Sequence, residues 1–322
     1  MATPPADAAP PVDAAPPVDA APPTPAAVLR LRGRDLAPTP EAPVIMGILN
    51  ASPESFSDGG VTSLAHQVEL GRRLLAEGAT ILDVGGESGV TNRPPIEPDE
   101  EIRRVVPLVA ALVELGATVS VDTWKAPVAR AVLEAGAHLI NDVSGLRDPA
   151  VAEACAAHGA GLVIMHTRSV PKVKGFRTYD DVTADVVGFV ADRLALAGRL
   201  GVRAEGIVVD PGPDFSKTPA QTVTVLRGLP RLAALGRPVL LAVSRKDFVG
   251  ALTGRMPRAR LAGTLAAVGE GLDAGGSVLR VHDVAEVVDY LTVRAALRGQ
   301  SAVPDDLELA EHLRREPQPP PG

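Results

Sequence analysis

Eight times between Val44 and Val284 an apolar run ends in acidic, amide, basic or imidazole side chains, and this repetition leaves very few folds open to the chain. The runs are VIMGILN (Val44 to Asn50), TILDVGGE (Thr80 to Glu87), TVSVDT (Thr118 to Thr123), HLINDVS (His138 to Ser144), GLVIMHT (Gly161 to Thr167), GIVVDPG (Gly206 to Gly212), VLLAVSRK (Val239 to Lys246) and VLRVHDV (Val278 to Val284). Ala/Leu/Val segments with helical spacing separate them, so strands and helices alternate. Near-continuous β-branched runs in that order imply a parallel sheet covered on both faces. Eight such units in about 240 residues predict an α/β chain folded as a (β/α)8 TIM barrel, whose chemistry gathers at the carboxyl ends of the strands.

The remaining composition narrows the function. The chain has 322 residues, 46% hydrophobic and 22% charged, enough for one large core. A formal charge of -7, with the arginines scattered along amphipathic helices, argues against a nucleic-acid partner. The single cysteine, Cys155, lies in the Ala-rich VAEACAAHG segment and reads as core filler. The absence of a long apolar run and of a basic-then-apolar N-terminus implies no membrane association and a cytoplasmic setting. Residues 7–24 repeat DAAPPV, DAAPPV, DAAPPT, so residues 1–27 are expected to form a disordered Pro/Ala-rich tail. The barrel is expected over residues 28–298 and a partly disordered C-terminal extension over 299–322. Within AVLRLRGRD (Ala27 to Asp35) a short strand is expected to plug the barrel bottom or pair in a hairpin.

Reading the strand ends in turn gives Asn50, Asp83, Glu87, Asp122, Asn141, Asp142, His166, Asp210, Ser244, Lys246, Arg280 and His282 as rim candidates. Some acids in this set are expected to cap helices or hold loops. Arg280 and His282 are two apart, which puts both on one face of the last strand. Among apolar Val278, Leu279 and Val281 they need an anionic partner, either a phosphate at the mouth of strands 7 and 8 or a rim carboxylate such as Asp83. Lys246 could form a Schiff base, donate to a ligand or snorkel to solvent, and nothing else in the sequence marks an aldolase arrangement that would favour the first. Asp210 is fixed by the Pro211-Gly212 turn and suits paired hydrogen bonds to an amidine-like edge. No zinc pattern exists, but a weakly held Mg2+ bridging a diphosphate would leave little trace, and Asn50 is the best ligand for it.

The motifs MGILNASPESFSDGG, ILDVGGES, VSVDTWK, INDVSGL, MHT, VVDPG, SRK and RVHDV, in that order from about Val44 to Val293, resemble those of the dihydropteroate synthases, in the pterin-binding barrel superfamily. The resemblance implies condensation of 6-hydroxymethyl-7,8-dihydropterin diphosphate with p-aminobenzoate, giving 7,8-dihydropteroate and pyrophosphate for folate synthesis. It also implies a catalytic set of Asp122, Asp210, Lys246, Arg280 and His282. Asp122, Asn141, Asp210 and Lys246 would hold the pterin. Arg280, His282, Asn50 and Arg93 would bind the diphosphate, Asn50 acting through the cofactor Mg2+. Phe56, Phe215, Ser244 and the Lys246 stem would shape the aminobenzoate site, with Ser57 and Asp58 from the first loop. Family members are commonly homodimers.

Three departures bear on the second substrate. The first loop reads NASPESF for the usual N-V-T-P-D-S-F. The second loop, GGESGVTNRPP, is about three residues longer than the family's, which leaves Thr91, Arg93 and Pro94 as its counterparts. After strand 6 the chain has DPGPDFSK, which keeps Phe215 and Lys217 but adds Asp214, a carboxylate expected to repel that of the aminobenzoate. Two other readings therefore stand beside synthesis: a pterin-binding paralogue without synthase activity, and a methyl-tetrahydrofolate-dependent methyltransferase barrel. Arg280 and His282 disfavour the latter, whose substrate carries no diphosphate.

Overall fold

The computed structural model describes residues 28–51, 63–87, 91 and 94–314. The expected Pro/Ala tail and the first-loop residues Phe56, Ser57 and Asp58 lie outside the described residues, as does Arg93.

A hairpin of β1 (Leu29–Leu31) and β2 (Arg34–Leu36) precedes the barrel, so the single strand expected there is two, joined through Gly33. The eight barrel strands are β3 (Val44–Asn50), β4 (Ile81–Gly85), β5 (Thr118–Asp122), β6 (Leu139–Asp142), β7 (Gly161–Met165), β8 (Ile207–Asp210), β9 (Leu240–Leu241) and β10 (Val278–Val281). All pair in parallel, in the order β8-β7-β6-β5-β4-β3-β10-β9. A bridge between Val209 and Val239, with the Val209 N–H donating to the Pro238 carbonyl at 2.9 Å, closes the ring. This is a (β/α)8 barrel. The run expected to extend from Val239 to Lys246 pairs regularly only at Leu240 and Leu241, because the backbone turns out of the ladder before Arg245, which has a positive φ.

The helices α1 (Leu64–Ala76), α2 (Pro98–Glu114), α3 (Ala126–Glu134), α4 (Pro149–His158), α5 (Val182–Arg199), α6 (Pro219–Arg227), α7 (Leu229–Ala233), α8 (Asp247–Thr253), α9 (Leu261–Asp273) and α10 (Val284–Leu297) lie between or after the strands. Their starts are legible as chemistry. Ser63, Asp148 and Asp181 accept hydrogen bonds from first-turn N–H groups, and Thr218 and Gln221 form a reciprocal capping box. Among the described residues no helix is long and apolar enough to cross a membrane.

Alternation along each strand divides the core in two. Residues such as Leu82, Val84, Val119, Val121, Ile140, Leu162 and Val209 pack outward against the helices. Met46, Ile81, Leu139, Val163, Val208, Leu240 and Val278 fill the barrel axis, together with Leu29 and Leu31 of the hairpin. The hairpin is therefore a plug for the lower end. Two residues further along the same strands the inward positions turn polar at Asp83, Asn141, Asp210 and Arg280. Leu29 is fully buried, so Leu29→Ala is expected to destabilise the chain by roughly 2–5 kcal/mol in urea unfolding. A loss within error of zero would mean that the hairpin only rests on the barrel.

Candidate active site

The polar layer is centred on Arg280. Its Nε donates to Asp83 Oδ2 at 2.6 Å and its Nη2 to Asp122 Oδ2 at 2.9 Å. Asn141 Nδ2 donates to the same Asp83 oxygen at 3.2 Å. The rim carboxylate weighed from sequence is thus a partner of Arg280, and Asp122 is a second. Burial works against the guanidinium charge, but Asp83 and Asp122 outweigh it and raise its pKa. Burial pushes the Asp122 carboxyl up to about 7, with Arg280 opposing the rise. Asn50, Gly85, Asp122 and Asn141 are successive register partners across β3 to β6. Gly85 carries no side chain in that row and leaves space between Asn50, which is exposed, and Asp122.

Across the barrel, Asp210 is buried and its Oδ1 accepts the Gly212 N–H at 2.7 Å, as its turn sequence implied. Burial raises this carboxyl, while Gly212, Lys246, Lys217 and Arg280 oppose the rise. Beneath the same loop lies an arrangement that sequence reasoning missed. Lys217 is 1% exposed, and its ammonium donates to His166 Nδ1 at 2.7 Å, the Gly212 carbonyl at 2.9 Å and the Phe215 carbonyl at 3.0 Å. With Nδ1 accepting, the His166 ring proton sits on Nε2 and donates to Asp185 Oδ2 at 2.9 Å. Arg168 grips the same carboxylate in a fork. His166, a rim candidate by position, is fully buried as a strut under the loop. Burial and Lys217 push its imidazole down to about 3. Only the bare presence of His166 and Lys217 was visible in the sequence, because a contact across 51 residues has no periodicity.

The last two strand ends complete the mouth. The Ser244 hydroxyl accepts the His282 backbone N–H at 3.2 Å and is hydrogen-bonded to Nδ1 at 2.9 Å, which turns the Nε2 edge of the ring away from Ser244. Desolvation by the packed rim, with Arg245 and Arg280 nearby, pushes this imidazole down to about 4 even though His282 reaches the surface at the mouth. Ser244, assigned to the aminobenzoate by resemblance, is thus also the orienting partner of His282. Lys246 Nζ lies 4.5 Å from the centroid of the Phe215 ring. Burial lowers its pKa, with Asp214 and Asp210 opposing. The added carboxylate at Asp214 is occupied: Oδ1 accepts from the Thr222 hydroxyl at 3.2 Å and Oδ2 from the Phe248 N–H at 3.2 Å. It ties the loop to α6 and α8.

Other candidates are structural. Asp142 accepts the Ser144 and Leu146 N–H groups, and Glu87 and Glu101 hold Lys125 at 2.7 and 2.6 Å. Thr91 is half-buried and Pro94 exposed. Cys155 is buried filler. Among the described residues no three His, Cys, Asp or Glu side chains cluster as a metal cage. All five non-glycine residues with positive φ among the described ones, Leu146, Lys172, Asp214, Ser216 and Arg245, lie in loops that follow barrel strands. Backbone strain is thus concentrated at the mouth.

Residues 46–282 match the family described as pterin binding enzyme. The chain belongs to that family. A dihydropteroate synthase of Bacillus subtilis (strain 168) is 38% identical over 266 residues, covering 82% of this chain and 91% of the relative. A probable bifunctional folylpolyglutamate synthase/dihydropteroate synthase of Haloferax volcanii is 38% identical over 278 residues, and the chain spans 33% of that longer protein. The solved dihydropteroate synthase of Xanthomonas albilineans with 4-aminobenzoic acid is 42% identical, with a TM-score of 0.79 over 87% of this chain and 100% of that one.

Two outcomes are expected from the loop after β8. Gly212 has φ +65°, and a Cβ there would stand 2.1 Å from the His166 carbonyl oxygen, so Gly212→Ala should cost about 3 kcal/mol or more. Urea unfolding measures it, and a loss below about 1 kcal/mol would mean that the loop can shift freely. Burial, opposed by Asp210, Asp185 and Asp214, lowers Lys217 from 10.5 to about 7. Between those values the unfolded chain holds one more proton than the native one, so stability should rise with pH across that window. Lys217→Met should remove this rise; parallel pH profiles for the two proteins would refute it.

Proposed function

We propose that the chain is a dihydropteroate synthase, which joins 6-hydroxymethyl-7,8-dihydropterin diphosphate to p-aminobenzoate and releases pyrophosphate. The observation that carries this reading is the meeting, at one barrel mouth, of Arg280 and the Nε2 edge of His282 with the buried acceptors Asn141 and Asp210 and the half-buried Asp122. A substrate with an anionic diphosphate at one end and ring N–H donors at the other matches both halves. Asp210 takes the amidine-like edge of the pterin, Asp122 and Asn141 its opposite side, and Lys246 donates from above.

The carbon-oxygen bond to the diphosphate breaks with its electron pair leaving on pyrophosphate, and the cation that remains is conjugated with the pterin. Arg280 and His282 hold the leaving group, while Asp122 and Asp210 supply negative potential to the cation. Turning Arg280 Nη2 from Asp122 towards phosphate exchanges one partly buried ion pair for another. The arylamine is neutral near pH 7 and needs positioning more than deprotonation. Phe215, held over Lys246, forms one wall of its site, and Phe56, Ser57 and Asp58 are assigned to the other by resemblance. Arg93 is assigned to the diphosphate on the same ground.

The donor set fits a weakly held Mg2+, which Asn50 would hold. Asn50 offers one exposed carboxamide oxygen beside the side-chain-free Gly85, and no cage of acidic ligands surrounds it among the described residues. When bound, the ion neutralises charge on the diphosphate. The reading includes a cytoplasmic homodimer without nucleic-acid or membrane partners. The longer second loop is the feature that favours the alternative, a paralogue that binds pterin diphosphate without condensing it.

Turnover of the purified chain with both substrates and Mg2+ is expected to yield dihydropteroate and pyrophosphate in equal amounts, and chelation is expected to abolish it. Asp210→Ala should lose pterin binding, because ring donors would be left unpaired in a buried site. Tight binding of the pterin diphosphate without dihydropteroate would establish the paralogue.

A further inference from the structure

Asp83 has no place in the reaction as described, yet it is the carboxylate on which two of the assigned binding residues converge. It is fully buried on β4, and its Oδ2 accepts from Arg280 Nε at 2.6 Å and Asn141 Nδ2 at 3.2 Å. Its other oxygen, Oδ1, is buried without a hydrogen-bond partner, as is Asn141 Oδ1. A carboxylate paired in this way only accepts hydrogen bonds. The amide nitrogen of Asn141 must therefore face Asp83, and its oxygen must face the other way. The orientation of an amide that would otherwise be free to turn is thereby fixed by its neighbour. The same carboxylate occupies Arg280 Nε and leaves the rest of the guanidinium fork to Asp122 or to an anion at the mouth.

We propose that Asp83 is a positioning residue of the pterin diphosphate site: it orients Arg280 for the diphosphate and turns the Asn141 amide so that Oδ1 accepts from a ring N–H of the pterin. The proposal rests on the function given above and names how its two subsites are coupled. One side chain serves both ends of one substrate, so a change at Asp83 alters recognition of the ring and of the diphosphate together. A residue that merely stabilised the barrel would change melting temperature and leave the ratio of the two affinities where it was.

Calorimetric titration with 6-hydroxymethyl-7,8-dihydropterin and with its diphosphate, in Mg2+, tests this on the full chain. Asp83→Ala is expected to bind both ligands at least tenfold more weakly than the native protein. Asp83→Asn retains an oxygen that can accept from Asn141 but not the charge beside Arg280. It is expected to bind the diphosphate-free pterin within about twofold of native while losing threefold or more for the diphosphate. Folding of each variant is checked by its melting temperature, and if Asp83→Ala does not fold, the split in Asp83→Asn decides alone. Native affinity for both ligands in a folded variant would overturn the proposal, and so would equal losses for the two ligands in Asp83→Asn. A native chain that bound neither pterin would overturn the function reading instead.

Discussion

The upper half of this barrel depends on the buried contact between Arg280 and its two carboxylates. A guanidinium or a carboxylate alone at that depth would be prohibitively desolvated. The layer is tolerated because its formal charges balance, with Asp83, Asp122 and Asp210 set against Arg280, Lys246 and Lys217. Each member is thereby conditioned by the others: the acids offset the desolvation of Arg280, and Arg280 opposes the rise that burial imposes on Asp122. Such a layer is suited to exchange, since an incoming anion and a set of N–H donors would replace one set of partners with another.

Most of the architecture was legible because a parallel barrel writes itself into sequence twice, as apolar runs and as a polar residue at the end of each. The period of two along β10 placed Arg280 and His282 on one face, and the Pro-Gly pair after Asp210 announced the turn that fixes it. What stayed hidden depends on long-range pairing. Lys217 looked like an ordinary loop lysine, and Asp214 like an intruder near the aminobenzoate, until Thr222 and Phe248 were seen to occupy its oxygens. The hairpin was hard to place because three-residue strands carry almost no periodic signal, although Leu29 and Leu31 lie inside the barrel axis. The end of the seventh strand was misjudged for a related reason: an apolar run does not say where the ladder stops.

The loop after β8 shows how a rim can vary in sequence and still hold its shape. Its backbone is strained at Asp214 and Ser216, and the restraint comes from below, through Lys217, His166, Asp185 and Arg168, and from the side through Thr222. None of these props needs to touch a ligand. Adding Asp214 to this loop therefore leaves Phe215 over Lys246.

The apolar plug has a kinetic meaning. With Leu29 and Leu31 packed into the lower end, that end of the barrel is closed among the described residues, and a molecule lying against Asn141 or Asp210 would enter and depart across the rim that Asn50, Lys246 and His282 surround. Whatever lies deepest must arrive first and leave last. A closed floor thus dictates sequence in time: the order of binding steps is set by residues at the opposite end of the fold from any chemistry.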